Sequence, residues 1–473
     1  MRTQANPTRP DAKSGTPFQR RLKGRHIQMI ALGAAIGTGL FYGSAEAITT
    51  AGPSVLLVFA IGGVAIFWIV RALGEMSVED PASGAFSHHA HRNWSSRAGF
   101  VSGWNYWFTC VAVAMVELSV VGKFVNYWFP DIPGYLSAAF FLVTITAVNM
   151  VGVRVYGEFE FWFAIIKVAA VAAMIVLGTM IVVLGINNNS NLIDPSFAHL
   201  VDDGGFFPHG ISGGLQALVI VMFAFSGTEL VAVTAGEAED PRRTLPRAIN
   251  QVVVRILLFY ILALAIIMAV VPWSRIDGRT SPFVQIFEMV GVRGAAHILN
   301  FVVLTAVLSV YNSTLYGSGR MLHSLTRQGN APALFGKVTS RGVPLAGVLA
   351  SSAVTAVAVA VVFLWPDFAF TYLLAIATIA AVINWTMIIV THQKFRRRIG
   401  PEAVANLTFR MPGAPVTGWI ALAFLALIVA LMAASSGFHV AVIAGPLWIA
   451  GLLIAYEIKV RFCNPSVESR APV

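Results

Sequence analysis

Apolar residues in this chain come in blocks, and the blocks recur from one end to the other. A helix needs about 20 mostly apolar residues to cross a bilayer. Windows of that kind fall at 27–51, 54–74, 98–127, 134–152, 158–185, 211–234, 248–271, 297–320, 344–365, 368–391, 416–435 and 438–458. They are numbered spans 1 to 12. Residues 272–296, with Pro272 and Pro282, read instead as a loop holding a short helix. The pattern predicts an all-α polytopic membrane protein with twelve transmembrane helices.

The positive charges sort along the same blocks. With the N-terminus inside, the inner segments hold 26 lysines and arginines, and the outer loops hold two, Arg275 and Arg279. Lysine and arginine collect on the cytoplasmic side of membrane proteins, so both termini are expected there, with an even number of spans. The net charge of +10 then sets topology and meets anionic headgroups. No nucleic-acid partner is expected.

Composition agrees. Hydrophobic residues make up 57% and charged residues 11%, against about 25% charged in soluble domains, and mean hydropathy is +0.75. The first 26 residues are polar and basic. They lack the apolar core and cleavage site of a signal peptide, so the first span is expected to drive insertion. Cys110 lies in a span and Cys463 in the tail, with no CxxC, so neither a disulfide nor a cysteine metal site is expected.

Two spans carry breaks. Span 1 contains "IALGAAIGTGLFYGS", with Gly33, Gly37, Gly39 and Gly43, although each interior glycine costs a helix about 1 kcal/mol relative to alanine. Span 6 contains "VMFAFSGTELVAVTAGEAEDP", with Ser226–Gly227–Thr228 in its middle. The breaks are five helices apart in oppositely directed spans, which is the sequence mark of an inverted-repeat transporter. The expected organisation is a tail over 1–26, one five-helix repeat over 27–185, a second over 211–391, two added spans over 416–458 and a tail over 459–473.

A broken helix leaves N–H groups at one half's start and C=O groups at the other's end. These ends carry partial charges of about +0.5 and −0.5. Together they suit a zwitterion. Its carboxylate would meet the amides around Thr38, Gly39 and Leu40. Its ammonium would meet carbonyls near Ala35 and Ile36, and near Phe223 and Phe225. The candidate substrate residues are Ile36, Gly37, Thr38, Gly39, Phe223, Phe225, Ser226, Gly227, Thr228 and Glu229. The plainer alternative is helix packing, since Gly33–Gly37 is a GxxxG pair. The second break at the matching position favours the site.

Ionisable residues inside spans are functional candidates by default. Lys167 sits in "FWFAIIKVAAVAAM", as a proton carrier or as a strut for freed carbonyls. Glu229 follows the span-6 break, to line the site, take part in coupling or cap the second half-helix. Glu117 lies in "VAMVELSVV", facing the bundle interior. Glu237, near Glu239, Asp240, Arg242 and Arg243, reads as part of an inner gate or as a solvated loop. Lys167, Glu117, Glu229 and Glu237 form the candidate coupling and gating set.

Other signals are weaker. His88, His89 and His91 in "SHHAHR" lack the ligand set of a metal site, and no metal or cofactor is expected. Asn312, Ser313 and Asn384 are polar at span depth, for pocket roles or for interhelical bonds. Among Phe225, Tyr106 and Trp104, Phe225 is the favoured pocket residue, because it sits at the break. No HExxH occurs and no aspartate pair lies within a span, which argues against an intramembrane enzyme. A closed site between broken helices suits alternating access better than a continuous pore.

Longer strings add a family. "LKGRHIQMIALGAAIGTGLFYGSA", "AGPSVLL", "LGEMSVEDPASGAFSHHA", "AGFVSGWNYW", "YGEFEFWFAIIKV", "GTELVAVTAGEAEDPRRTLPRAIN" and "LTAVLSVYNSTLYGSGRML" occur in order through the first ten spans. The chain resembles the amino acid permeases of the amino acid–polyamine–organocation superfamily, specifically the bacterial amino acid transporter family. The resemblance implies a LeuT-type fold with a five-plus-five inverted repeat and two extra helices. It also implies secondary active uptake of an amino acid, usually with a proton, across a bacterial inner membrane. It puts Lys167 where sodium sits in sodium-coupled relatives, tying span 1 to span 8, and Glu117 near the substrate or coupling region. "VAMVELSVVGKFVNYWFPDIP", "SPFVQIF", "LSVYNSTLY" and "INWTMIIVTHQKFRR" look most like aromatic and neutral amino acid permeases. Span 6 departs: Thr228 and Gly236–Glu237 look more like members taking polar or basic amino acids. An exchanger, a polyamine antiporter, or a permease for a basic or polar amino acid or GABA on the same fold stays open.

Overall fold

The computed structural model describes residues 36–82, 84–185, 194–230, 240–278, 280–289 and 293–463. Within them all regular structure is helical, with no strand. Ala35 and Glu237 lie outside the described residues. Ten helices among those described are long and apolar enough to cross a membrane. One of them, Gly43–Glu79, runs the end of span 1 into span 2 through the Gly52–Ser54 turn, and Gly210–Ala224 is apolar but stops at the span-6 break.

Several helices outrun their apolar blocks. Span 8 is Arg293–Arg327 and span 10 is Ala369–Ile399. Hydropathy marks the membrane, but a helix ends where backbone conformation changes. Span 5 stops at Gly185 (φ 60°) and span 10 at Gly400 (φ 82°), in conformations that glycine adopts without strain. Span 7 holds a π-helical segment, Ile256–Leu262, between Pro241–Arg255 and Ala263–Val270. The loop after it contains the short helix Pro282–Met289.

Burial divides the helices into two classes. Spans 3 (Ser96–Asn126), 8 and 10 are buried along most of their length. Spans 4 (Gly134–Val151), 5 (Val153–Leu184), 11 (Val416–Ala434) and 12 (His439–Cys463) leave large apolar side chains such as Phe140, Val183, Ile443 and Leu447 uncovered. In a bilayer that surface meets acyl chains. Buried polar residues, including Glu160 and Lys167 of span 5, therefore face the bundle interior, where the two breaks lie.

Candidate functional site

At the first break Gly37 is extended (φ −142°, ψ −150°) and hands over to one turn, Thr38–Phe41. Tyr42 interrupts that turn before Gly43–Ala51 begins. At the second break, Gly210–Ala224 ends at Phe225 and the chain turns through Ser226, Gly227 and Thr228. Gly227 has φ 93°, which a side chain would strain.

The two breaks touch backbone to backbone. A Cβ on Gly39 would lie 2.4 Å from Ala224 Cα and 2.8 Å from its Cβ. A Cβ on Gly37 would lie 2.6 Å from Val310 Cγ2 and 3.0 Å from Glu117 Oε1. These glycines exist for contact between spans 1, 3, 6 and 8.

Glu117 reaches into this junction from span 3. Its Oε2 accepts from Thr38 Oγ1 at 2.5 Å and from Thr38 N at 3.3 Å, and its side chain is buried. The amide expected to hold a substrate carboxylate thus holds a carboxylate supplied by the protein.

The span-6 carbonyls are less open than expected. Phe223 O accepts from Ser226 N (2.9 Å) and Phe225 O from Thr228 N (3.3 Å). Ala224 O accepts from Tyr260 Oη at 3.0 Å, so the π-helical segment of span 7 braces this end. A carbonyl has two lone pairs, and each of these keeps one for an ammonium. Ser226 Oγ is buried with no partner among the described residues. Such groups are rare and call for an explanation. Thr228 and Glu229 are also buried, with Thr228 Oγ1 3.5 Å from Glu229 Oε2. The half-helix expected after Glu229 falls largely outside the described residues.

Phe225 is fully buried, edge-on to Phe59 at 5.8 Å and tilted against Tyr260 at 5.2 Å. Trp104 Nε1 donates to Asn330 O, and Tyr106 stacks on Phe86 while its buried Oη has no hydrogen-bond partner among the described residues. Asn312 accepts from Asn149 Nδ2 at 2.8 Å, whereas both amide atoms of the buried Asn384 lack a partner among the described residues.

Lys167 is fully buried, and the charges of Glu160 and Glu117 both reach it. Sequence reasoning missed Glu160. It stands seven residues before Lys167 on the same helical face, with Oε1 4.0 Å from Lys167 Nζ. The signal was present in "YGEFEFWFAIIKV", but its partner Ser309 is 149 residues away in sequence.

Two charged clusters lie at the arginine-rich end. Glu75, fully buried, takes both of its oxygens to Arg396 at 2.7 Å. This clamp between spans 2 and 10 was also missed. Asp80, His88 and His89 come within 4.8 Å of one another. His88 Nε2 is 2.7 Å from Asp80 Oδ2, and Arg92 donates to the same oxygen. Burial alone would raise the Asp80 carboxyl, but hydrogen bonds and charge from His88 and Arg92 hold it below its usual range. Burial, reinforced by the His88 charge, pushes His89 down to about 3, so its ring is neutral at physiological pH. The Asp80 oxygen that a cation would need is held by a guanidinium.

The amino acid permease family profile matches residues 26–468. The aromatic amino acid transport protein AroP of Escherichia coli (strain K12) is 48% identical over 447 residues, covering 94% of this chain and 96% of that protein. AroP of Salmonella typhimurium (strain LT2) is 46% identical over 449 residues, with the same coverage. YtnA of Bacillus subtilis (strain 168), described as an uncharacterised amino acid permease, is 44% identical over 447 residues, again covering 94% and 96%. These relatives are transporters, not enzymes. A profile match over nearly the whole chain, identities above 40% and an all-helical fold with two meeting helix breaks make this chain a member of the amino acid permease family.

Proposed function

We propose that this permease imports an aromatic or other neutral L-amino acid together with a proton by alternating access. The carrying observation is the junction at Gly39 and Ala224, where helix breaks bring backbone groups together and Thr38 donors hold a carboxylate. The AroP relatives support an aromatic substrate. In the proposed architecture, spans 1–5 and 6–10 form inverted repeats, spans 11 and 12 complete twelve, and both termini are cytoplasmic in a bacterial inner membrane.

The cycle follows from the donors. The substrate carboxylate displaces Glu117 from Thr38 and takes the Gly39 amide as well, and its ammonium meets the remaining lone pairs at Phe223 and Phe225. Ser226 Oγ supplies a further polar contact, and Phe225 covers the side chain. A proton enters through Glu117, Lys167 or Glu229. Spans 1, 2, 6 and 7 then rock against 3, 4, 8 and 9. Glu237 belongs to the inner gate in this scheme. A basic or polar substrate is the second reading, favoured by the buried Glu229 beside Thr228.

Proteoliposomes with no internal amino acid test this. Labelled phenylalanine should accumulate when the outside is made acidic, and competition by the twenty standard amino acids should rank aromatic ones first. A strict need for internal substrate would make the protein an exchanger. Competition led by lysine or arginine would favour the second reading. Lys167→Ala should lose pH-driven accumulation, and unchanged accumulation would remove lysine from the scheme.

A further inference from the structure

A polar seam runs between spans 5 and 8, apart from the substrate junction. Tyr156, Glu160 and Lys167 share one face of span 5, and Ser309, Ser313, Tyr316 and Arg320 share one face of span 8. The faces are joined. Ser309 Oγ donates to Glu160 Oε1 at 2.5 Å, and Ser313 Oγ lies 3.1 Å from Tyr156 Oη. The Tyr156 ring stacks on Tyr316 at 3.7 Å, with the Arg320 guanidinium 3.3 Å from the Tyr316 ring centre.

Lys167 and Glu160 are both fully buried, and Glu117 adds its charge from span 3. Glu160 Oε1 is held by Ser309. Its Oε2 is buried and accepts no hydrogen bond among the described residues. A buried carboxylate oxygen without a donor is costly, and Oε2 is the oxygen of the pair left open to a new partner. Lys167 Nζ stands 4.0 Å from Oε1 of the same carboxylate, about 1 Å beyond hydrogen-bond range, so the long lysine chain must shift past that oxygen to reach Oε2.

We propose that Glu160 accepts the transported proton from Lys167 and releases it along the seam toward the Arg320 end. This rests on the proton-coupled reading above. In the step, an N–H bond of the Lys167 ammonium breaks as an O–H bond forms at Glu160 Oε2. The lysine keeps the electron pair and becomes a neutral amine, and the carboxylate becomes a neutral acid. The pair is neutral overall before and after, so the proton moves without building net charge in a medium where an isolated charge is expensive. Ser309 fixes one oxygen and leaves the other to receive it.

Glu160→Gln keeps an acceptor for Ser309 but takes no proton from lysine, and Glu160→Asp restores a carboxylate. Both would be reconstituted beside the wild type, with a pH dye inside the vesicles. Labelled phenylalanine would be supplied under an acid-outside gradient and, separately, in counterflow at equal pH. E160Q should lose acid-driven accumulation and substrate-linked internal acidification by about tenfold or more, while its counterflow stays within about threefold of wild type. E160D should recover accumulation and acidification. E160Q accumulating like wild type would overturn the proposal. So would loss of counterflow together with accumulation in E160Q, which marks a structural ion pair, or failure of E160D to recover. A wild type without acid-driven uptake would instead overturn the coupling reading, and this inference with it. If E160Q does not insert, infrared difference spectra of wild type and E160D decide. A protonated-carboxyl band that appears on acidification with substrate, and shifts in E160D, supports the proposal, and an unshifted spectrum overturns it.

Discussion

Gly39→Val abolishes uptake while the protein still inserts. Insertion depends on the apolar length of span 1, which valine preserves. Uptake depends on a contact that valine destroys. The first carbon of any side chain at residue 39 would stand 2.4 Å from Ala224 Cα. That obstacle is main chain, so no rotamer change relieves it, and spans 1 and 6 must separate by more than an ångström. Misplacement on that scale costs a reacting or binding site about a hundredfold, so initial uptake should fall at least that far. Gly39→Ala should fail almost as badly, because the clash begins at Cβ. Gly43→Ala is the control from the same glycine run. Its Cβ would meet nothing nearer than Ile220 Cγ2 at 3.6 Å, an ordinary contact, and uptake should stay within about twofold. Initial rates normalised to the amount of membrane-inserted protein measure all three. Normal uptake by Gly39→Val would mean that the meeting of the breaks is not the substrate site.

This pair of glycines also illustrates what the sequence made legible. Residues 30–44 read as a deliberate break because glycine opposes both helix propensity and span length, and the second break stands at the matching place. Glu117 and Lys167 were legible for a similar reason: a charge amid apolar neighbours needs a purpose. Glu160 was not. It stands near the start of its span with Glu158 two residues before it, where a carboxylate normally faces water, and only Ser309 from span 8 reveals its burial. Glu75 was hidden the same way, since Arg396 and Met411 lie more than 300 residues away. The bracing of Ala224 O by Tyr260 was hidden because a π-helical turn leaves no mark in hydropathy. Local cost is visible in one dimension, whereas partnership across helices is not.

Arg396→Ala carries the other large effect, on stability. Glu75 is fully buried and its carboxylate is fully engaged. Arg396 Nε and Nη2 bind its two oxygens at 2.7 Å each, Met411 N donates to Oε2 at 2.5 Å, and His392 Nε2 lies 3.1 Å from Oε1. The guanidinium also donates to Ala414 O at 3.3 Å and Met411 O at 3.4 Å. One arginine thus joins span 2, span 10 and the segment leading into span 11. Removing it leaves a buried carboxylate without its main counter-charge, which costs about 3–5 kcal/mol. Thermal unfolding in detergent should show a clear fall in midpoint for Arg396→Ala. Glu75→Gln should cost less, because the amide keeps an acceptor for Met411 N and leaves no uncompensated negative charge. The decisive comparison is Glu75→Leu with Arg396→Met, which removes both charges and replaces them with apolar volume. A buried pair replaced whole is often neutral in cost, so this double variant should be more stable than Arg396→Ala alone. If the two penalties simply add, Glu75 and Arg396 are not energetically coupled, and the clamp between spans 2 and 10 is only proximity.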